Sequence, residues 1–315
     1  MPRVPISKAR LTVAGVACAV FVALIFMFTP RSSGKLFDVT KGESLDAIAS
    51  ALADEHIVAS EALFKIVVTA IGGERTIQAG LYDFSRPLSI FGVARRLSQG
   101  NYGTEPVSLT FPEGITRRQI AQKASAELPK FDDQIFMTIT ANDEGYLFPD
   151  TYTFALHADA AEVRTVMRET FEEKYVLFAT STVKSKLSRS EIVTLASILE
   201  GEAADDLSRR TVAGILLKRL SIDMPLQVDA TFVYERDKNS SELTTEDLQR
   251  DSPYNSYTRK GLPPTPISNP GLEAMHAVLA PITSPYLYFL TAPDGTTHYA
   301  RTFEDHIINK KRYLK

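Results

Sequence analysis

Residues 188–202 read Ser188-Arg-Ser-Glu191-Ile-Val-Thr-Leu195-Ala-Ser-Ile-Leu199-Glu200-Gly-Glu202. Ser188 and Glu191 have the spacing of a capping box, in which each side chain satisfies a free backbone N–H of the other at the start of a helix. Ile192, Leu195, Ala196 and Leu199 follow at i, i+3, i+4 and i+7, the spacing of one buried stripe. The pattern predicts a helix running through Glu200 and on to Glu202. At about 100° per residue the stripe centres near ~350°, Glu200 falls at about 80° and Glu202 at about 280°. The two carboxylates then flank the stripe on opposite sides and do not face each other while the helix persists. A second helix is expected from Leu207 to about Leu220, with Val212, Ile215, Leu216 and Leu220 as its stripe, and the two should pack together.

Downstream, Leu226-Gln227-Val-Asp229 and Tyr234 precede a polar stretch from Glu235 to Asp251. Ser252-Pro-Tyr254-Asn255-Ser-Tyr257 and Gly261-Leu-Pro-Pro-Thr-Pro-Ile267 are too rich in Pro, Tyr and Asn for regular structure, and read as a rigid loop edging a site. Ser268-Asn-Pro-Gly271 opens a further helix to about Leu279. Tyr286-Leu-Tyr-Phe-Leu290 reads as a strand turned at Asp294-Gly295 toward His298. Upstream, Phe37-Asp-Val-Thr40 is a strand and Lys41-Gly42-Glu43 a turn, and Ser44 caps a helix bearing Leu45, Ile48, Ala49 and Leu52. The phrase recurs 72 residues later, with Leu109-Thr-Phe111 as strand, Pro112-Glu-Gly114 as turn, Thr116 as cap, and Ile120 and Ala121 in place of Ile48 and Ala49. Two related small units would produce it, as would common turn-and-cap chemistry used twice.

The 315 residues, 44% hydrophobic and 23% charged, suffice for one long or two ordinary packed domains and exclude wholesale disorder. Residues 1–35 carry five basic side chains and no acid, which leaves 30 basic against 38 acidic residues from 36 onward. An acidic body with no basic stripe argues against a nucleic-acid partner. Leu11 to Thr29 is an uncharged apolar run, and as a helix it spans about 28 Å, close to the hydrocarbon thickness of a bilayer. We expect a single membrane-spanning helix over 11–29. Arg3, Lys8 and Arg10 would hold a tail of residues 1–10 in the cytoplasm and send the rest outward. A cleaved signal peptide is the competing reading, but the run exceeds an ordinary signal core and no A-x-A site follows it.

The single cysteine, Cys18, lies in that run, so no intrachain disulfide is possible. Phosphate-loop, dinucleotide, serine-elbow, zinc-peptidase and C-x-x-C motifs are absent, and His298 and His306 have no metal-ligand spacing. No metal or cofactor is expected. What remains for chemistry is carboxylates, and from spacing alone Glu200 and Glu202 are both open as catalytic groups or as solvated boundary glutamates.

Taken in order, Glu144-Gly-Tyr-Leu-Phe-Pro-Asp-Thr-Tyr152, Leu195-Ala-Ser-Ile-Leu-Glu200-Gly-Glu202, Leu226-Gln-Val-Asp229 with Tyr234, Tyr254-Asn-Ser-Tyr257, Gly261 to Ile267 and Tyr286-Leu-Tyr-Phe resemble the YceG-like endolytic murein transglycosylases, from about residue 36 to the end. The strand, G-x-S turn and I-A helix near residue 42 resemble the LysM module, a β-α-α-β fold that binds N-acetyl sugars. The resemblance implies an α+β chain with an N-terminal membrane helix, a LysM-like unit over 36–105 and a mixed α+β catalytic domain over 106–315.

It further implies an enzyme of the bacterial inner membrane with its catalytic domain in the periplasm. Such an enzyme breaks the β-1,4 bond between N-acetylmuramic acid and N-acetylglucosamine, leaves 1,6-anhydromuramoyl ends and terminates nascent strands. Its partners would be glycan strands, the membrane and cell-wall synthesis proteins. Glu200 takes the position of the family's catalytic acid. Gln227, Asp229, Tyr254 and Asn255 are the candidates for holding the sugar amides and orienting that acid, with bracing of the loop as their other reading. Gly201, Ser256 and Thr265 stand where the family commonly has Lys, Thr and Gly. A non-catalytic, membrane-anchored glycan-binding scaffold stays open as the alternative.

Overall fold

The computed structural model describes residues 36–181, 185–202, 205–236, 244 and 249–314. The expected tail and membrane helix lie outside these. Among the described residues no helix is long and apolar enough to cross a membrane. Contacts divide the chain into two compact units, one up to Pro106 together with Ala155–His157, the other formed by Val107–Phe154 and the chain from Ala158 onward.

The first unit runs β1 (Leu36–Val39), α1 (Leu45–Asp54), α2 (Glu61–Ala70), β2 (Gly80–Asp83) and α3 (Ile90–Gln99). β1 and β2 pair antiparallel with Leu36 opposite Asp83. Ser44 caps α1 by accepting the Ala47 N–H, and Ile48, Ala49 and Leu52 are buried against Phe64, Val68, Tyr82 and Phe84.

The second unit begins with the same four elements: β3 (Val107–Thr110), α4 (Arg117–Glu127), α5 (Asp133–Ile139) and β4 (Thr151–Phe154), again with an antiparallel strand pair. The correspondence extends well past the turn and cap. Gly42 and Gly114 both take the left-handed conformation, at φ +84° and +79°, which a side chain would strain. Leu52 and Phe64 match Ala124 and Phe136 at the same 72-residue offset, and all four are fully buried. Tyr82 and Tyr152 each donate their hydroxyl to the carbonyl four residues back, at 2.7 Å, and each stacks on the Phe two residues on. Turn chemistry alone does not require matched tyrosines and core phenylalanines, so the repeat is one of whole β-α-α-β units.

The second unit continues with α6 (Ala160–Ser181), α7 (Arg189–Leu199), α8 (Asp206–Ser221), α9 (Ala230–Arg236), α10 (Leu272–Leu279), a hairpin of β5 (Tyr288–Thr291) and β6 (Thr297–Ala300), and α11 (Phe303–Tyr313). The Ser188/Glu191 capping box forms as expected. Two expectations for α7 are corrected. It buries every residue from Ile192 to Leu199 rather than one stripe, because α10 packs on it together with α8 and the segment at Ile267 and Ser268 closes over it. It also ends at Leu199, with Glu200 as its C-cap and a short turn closed by the Glu202 N–H on the Leu199 carbonyl. The helical wheel therefore does not govern Glu202. Residues 251–271 contain no helix or strand, and Ser197 holds them: its hydroxyl accepts the Ile267 N–H and its carbonyl accepts the Ser268 hydroxyl.

Candidate active site

A cleft of about 1240 Å³ opens in the second unit, where the β3–α4 turn, the end of α7, the start of α9 and the β5 strand converge. Glu200 and Glu202 both line it. The early end of α7 puts two carboxylates, which a continuous helix would have set on opposite flanks, into one cleft.

Glu200 is half-buried, and its Oε1 accepts the Gly271 N–H at 2.9 Å, at the start of α10. Burial raises its pKa above the usual carboxylate range, and the nearby Glu113 and Glu273 carboxylates push the same way, against the Gly271 N–H and Arg209. Glu113 comes from the β3–α4 turn, which is anchored by the Gly114 N–H on the Asn269 carbonyl. Burial and the neighbouring Asp229 lift Glu202 to about 7.

Glu144 is more deeply set, with 3% exposure. Its Oε1 accepts the Arg117 N–H and the Asn269 Nδ2, both at 3.1 Å, and its Oε2 lies 3.7 Å from the Arg117 guanidinium. Burial outweighs these donors and lifts it to about 7. Gly145 beside it has φ +86°, and a Cβ there would fall 2.5 Å from the Pro266 ring, so the Glu144 turn can approach the 252–271 loop only with glycine. Burial, with Glu144 adding to it, raises the Tyr234 hydroxyl to about 12.

Of the expected sugar-binding residues, three line this cleft. Gln227 has an exposed side chain on a left-handed backbone (φ +51°) that is held by its N–H on the Ser256 carbonyl. Asp229 accepts the Tyr257 hydroxyl at 2.6 Å, and Tyr254 pairs its hydroxyl with Thr265 at 2.7 Å and its ring with Tyr234. Asn255 departs from the expectation. It is fully buried, donates to the Arg250 carbonyl and accepts the Tyr257 and Thr258 N–H groups, so its amide braces the loop and does not line the cleft.

Sequence reasoning passed over Glu113, Arg117, Glu144, Arg219, Tyr234 and Tyr257 as site residues, although Glu144, Tyr234 and Tyr257 stand within the quoted motifs. Among the described residues no group of three or more His, Cys, Asp or Glu side chains is placed to hold a metal ion. Chemically, the cleft offers a half-buried acid backed by one N–H donor, ringed by carboxylates that oppose its ionisation and by tyrosines that suit a sugar face.

The YceG-like family model matches residues 37–312. The endolytic murein transglycosylase of Bacillus subtilis is 31% identical over 307 residues, covering 88% of this chain and 84% of that protein. The enzyme of the same name from Streptococcus pneumoniae R6 is 31% identical and covers 76% of the chain, which spans only 51% of that longer relative. The crystal structure of a putative YceG-like protein of Listeria monocytogenes superposes with a TM-score of 0.60 at 29% identity, over 87% of this chain and 98% of that one.

Proposed function

The chain belongs to the YceG-like family, and from that premise we propose that its cleft is the active site of a peptidoglycan lytic transglycosylase with Glu200 as the acid. The reaction breaks the β-1,4 bond between N-acetylmuramic acid and N-acetylglucosamine. The muramoyl C6 hydroxyl, not water, closes on C1, so substrate supplies the nucleophile and no second catalytic carboxylate is needed. Glu200 gives its proton to the leaving oxygen and, once ionised, takes the C6 hydroxyl proton. The observation that carries this reading is the setting of Glu200. Burial and flanking carboxylates raise its pKa and so favour the acid form, while the Gly271 N–H fixes its position and stabilises the carboxylate formed after transfer.

Gln227, Asp229 and Tyr254 line the same cleft, which supports a role for them in holding the sugar amides. The β1-α1-α2-β2 order supports a LysM-like, glycan-binding role for the first unit. The uncharged run at 11–29 and the basic residues before it support a single-pass anchor with residues 1–10 in the cytoplasm and the catalytic unit in the periplasm, near nascent strands and the proteins that make them.

The test is digestion of purified glycan strands by the full chain, with mass spectrometry of the ends. 1,6-Anhydromuramoyl ends are expected, and Glu200→Gln should lower their rate of formation by about 10² to 10⁴. Reducing ends in their place would convict water as the nucleophile. Near-normal turnover by Glu200→Gln would move the acid elsewhere.

A further inference from the structure

Gly271, whose N–H holds Glu200, has no conformational reason to be glycine. It stands at the N-cap of α10 with φ −80° and ψ 175°, angles open to any residue, and a Ser, Thr, Asp or Asn there would supply the side-chain cap that this helix lacks. The reason lies across from it: a Cβ on Gly271 would land on the Glu113 carboxylate. Glu113 thus presses on the residue whose N–H takes Glu200 Oε1, and its charge acts on Glu200. One glycine seats two carboxylates side by side.

Holding like charges together is unfavourable, and nothing local calls for it. Glu113 is exposed and makes no hydrogen bond or ion pair among the described residues. Two nearby cations are committed elsewhere: Arg209 pairs with Glu273 at 2.8 Å, and Arg117 lies beside Glu144 and donates to the Met137 carbonyl. The turn itself does not need an acid. In the first β-α-α-β unit the residue at the same place, before the matching left-handed glycine, is Lys41. What Glu113 does is line the cleft next to the acid.

The bond chemistry has no work for a second carboxylate as nucleophile or proton carrier, so what remains is charge. With Oε1 of Glu200 on the Gly271 N–H, Oε2 is left to protonate the glycosidic oxygen. As that oxygen departs, positive charge builds over C1 and the ring oxygen of the muramoyl residue. We propose that Glu113 is a second catalytic residue, whose carboxylate lies against this ring and offsets that charge, and that Gly271 is the seat that lets it do so. The C6 hydroxyl remains the nucleophile, Glu200 alone moves protons, and Glu113 forms no bond. Because the ring is neutral before the bond breaks, the interaction strengthens only in the transition state and belongs in kcat rather than KM. The inference rests on Glu200 as the acid.

The test is steady-state formation of 1,6-anhydromuramoyl ends from purified glycan strands by the full chain in detergent micelles. Each variant is compared at the pH of its own maximal rate, so that a changed acidity of Glu200 does not enter. Glu113→Gln should lower kcat by about ten- to a hundredfold, at or below the loss of one enclosed electrostatic group, with KM and thermal stability unchanged. Glu113→Asp, which keeps the charge but draws it back, should fall between. Gly271→Ala alters neither carboxylate and keeps the N–H, yet should lower kcat by displacing Glu113; added to Glu113→Gln it should cost nothing further. Full kcat in Glu113→Gln, or a loss confined to KM, overturns the proposal. Additive losses from the two substitutions overturn the seating by Gly271. Near-normal turnover by Glu200→Gln would sink the reading of the acid, whereas an inactive Glu200→Gln beside a normal Glu113→Gln sinks this inference alone.

Discussion

Asn269 ties together the turns around the cleft, and Asn269→Ala is the most exposed test of how they are held. The side chain is fully buried and makes three hydrogen bonds: Nδ2 to the Ile115 carbonyl at 2.9 Å, Nδ2 to Glu144 Oε1 at 3.1 Å, and Oδ1 from the Leu147 N–H at 2.9 Å. Its backbone adds bonds to Gly114 and Ile115. One amide thus joins the β3–α4 turn, the Glu144 turn and the segment leading to Gly271. Two neutral bonds at about 1 kcal/mol each and one to a carboxylate at about 1.5–3 kcal/mol put the loss near ~4 kcal/mol, since alanine leaves buried groups unpaired. For a unit of this size that corresponds to a fall of roughly 8–16 °C in Tm. Thermal and urea unfolding of the variant measure the loss, and anhydro-end formation well below the new Tm measures the site. The expected outcome is that stability and turnover both fall, because the Gly271 N–H loses its fixed position against Glu200. A loss under about 1 kcal/mol with normal turnover would refute the reasoning, since the three bonds would then carry no weight.

Further outcomes follow from the carboxylates. Burial lifts Glu144 and Glu202 to about 7, so above the ordinary carboxylate range and up to pH 7 the folded protein holds protons that the unfolded chain has released. Stability should therefore fall as pH rises through that window, and urea unfolding of Glu144→Gln should show a shallower slope. Glu113→Gln removes a charge that raises the pKa of Glu200, so the alkaline limb of the kcat/KM profile should move to lower pH. An unmoved limb would show that burial alone sets that acidity. Glu202→Gln should reduce anhydro-end formation far less than Glu200→Gln, because the Gly271 N–H holds Glu200.

What the sequence revealed was local chemistry. Ser44, Thr116 and Ser188 cap their helices as their spacing predicts, because a cap depends on residues within one turn. The end of α7 depends on a partner 71 residues away, the Gly271 N–H that takes Glu200, and no periodicity within 188–202 contains it. The single-stripe reading failed for a related reason: three neighbours enclose α7, and a helix covered all round shows a polar side only where Ser197 and Thr194 bond within the protein. Glu144 looks like a turn acid in sequence, and its burial comes from Asn269 and Arg117, distant in the chain. Asn255 looks like a ligand-facing amide, yet its own loop consumes it.

The repeated unit shows how the same local chemistry is put to different uses. In the first copy the turn is self-contained: Glu43 accepts the Thr40 N–H and hydroxyl, and the residues around Gly42 are mostly exposed. In the second copy the residue at Glu43's position is Ile115. It is buried, and its carbonyl accepts both the backbone N–H and the side chain of Asn269. Replacing a self-capping acid by a buried isoleucine removes the local partner and leaves the turn to dock elsewhere. Its preceding residues, Glu113 and Gly114, then lie against Glu200: a Cβ on Gly114 would sit 3.5 Å from the Cβ of that acid. The left-handed glycine is thus common to both copies for backbone reasons, while the Glu-to-Ile difference one position later goes with a turn that docks on Asn269 and lines the cleft.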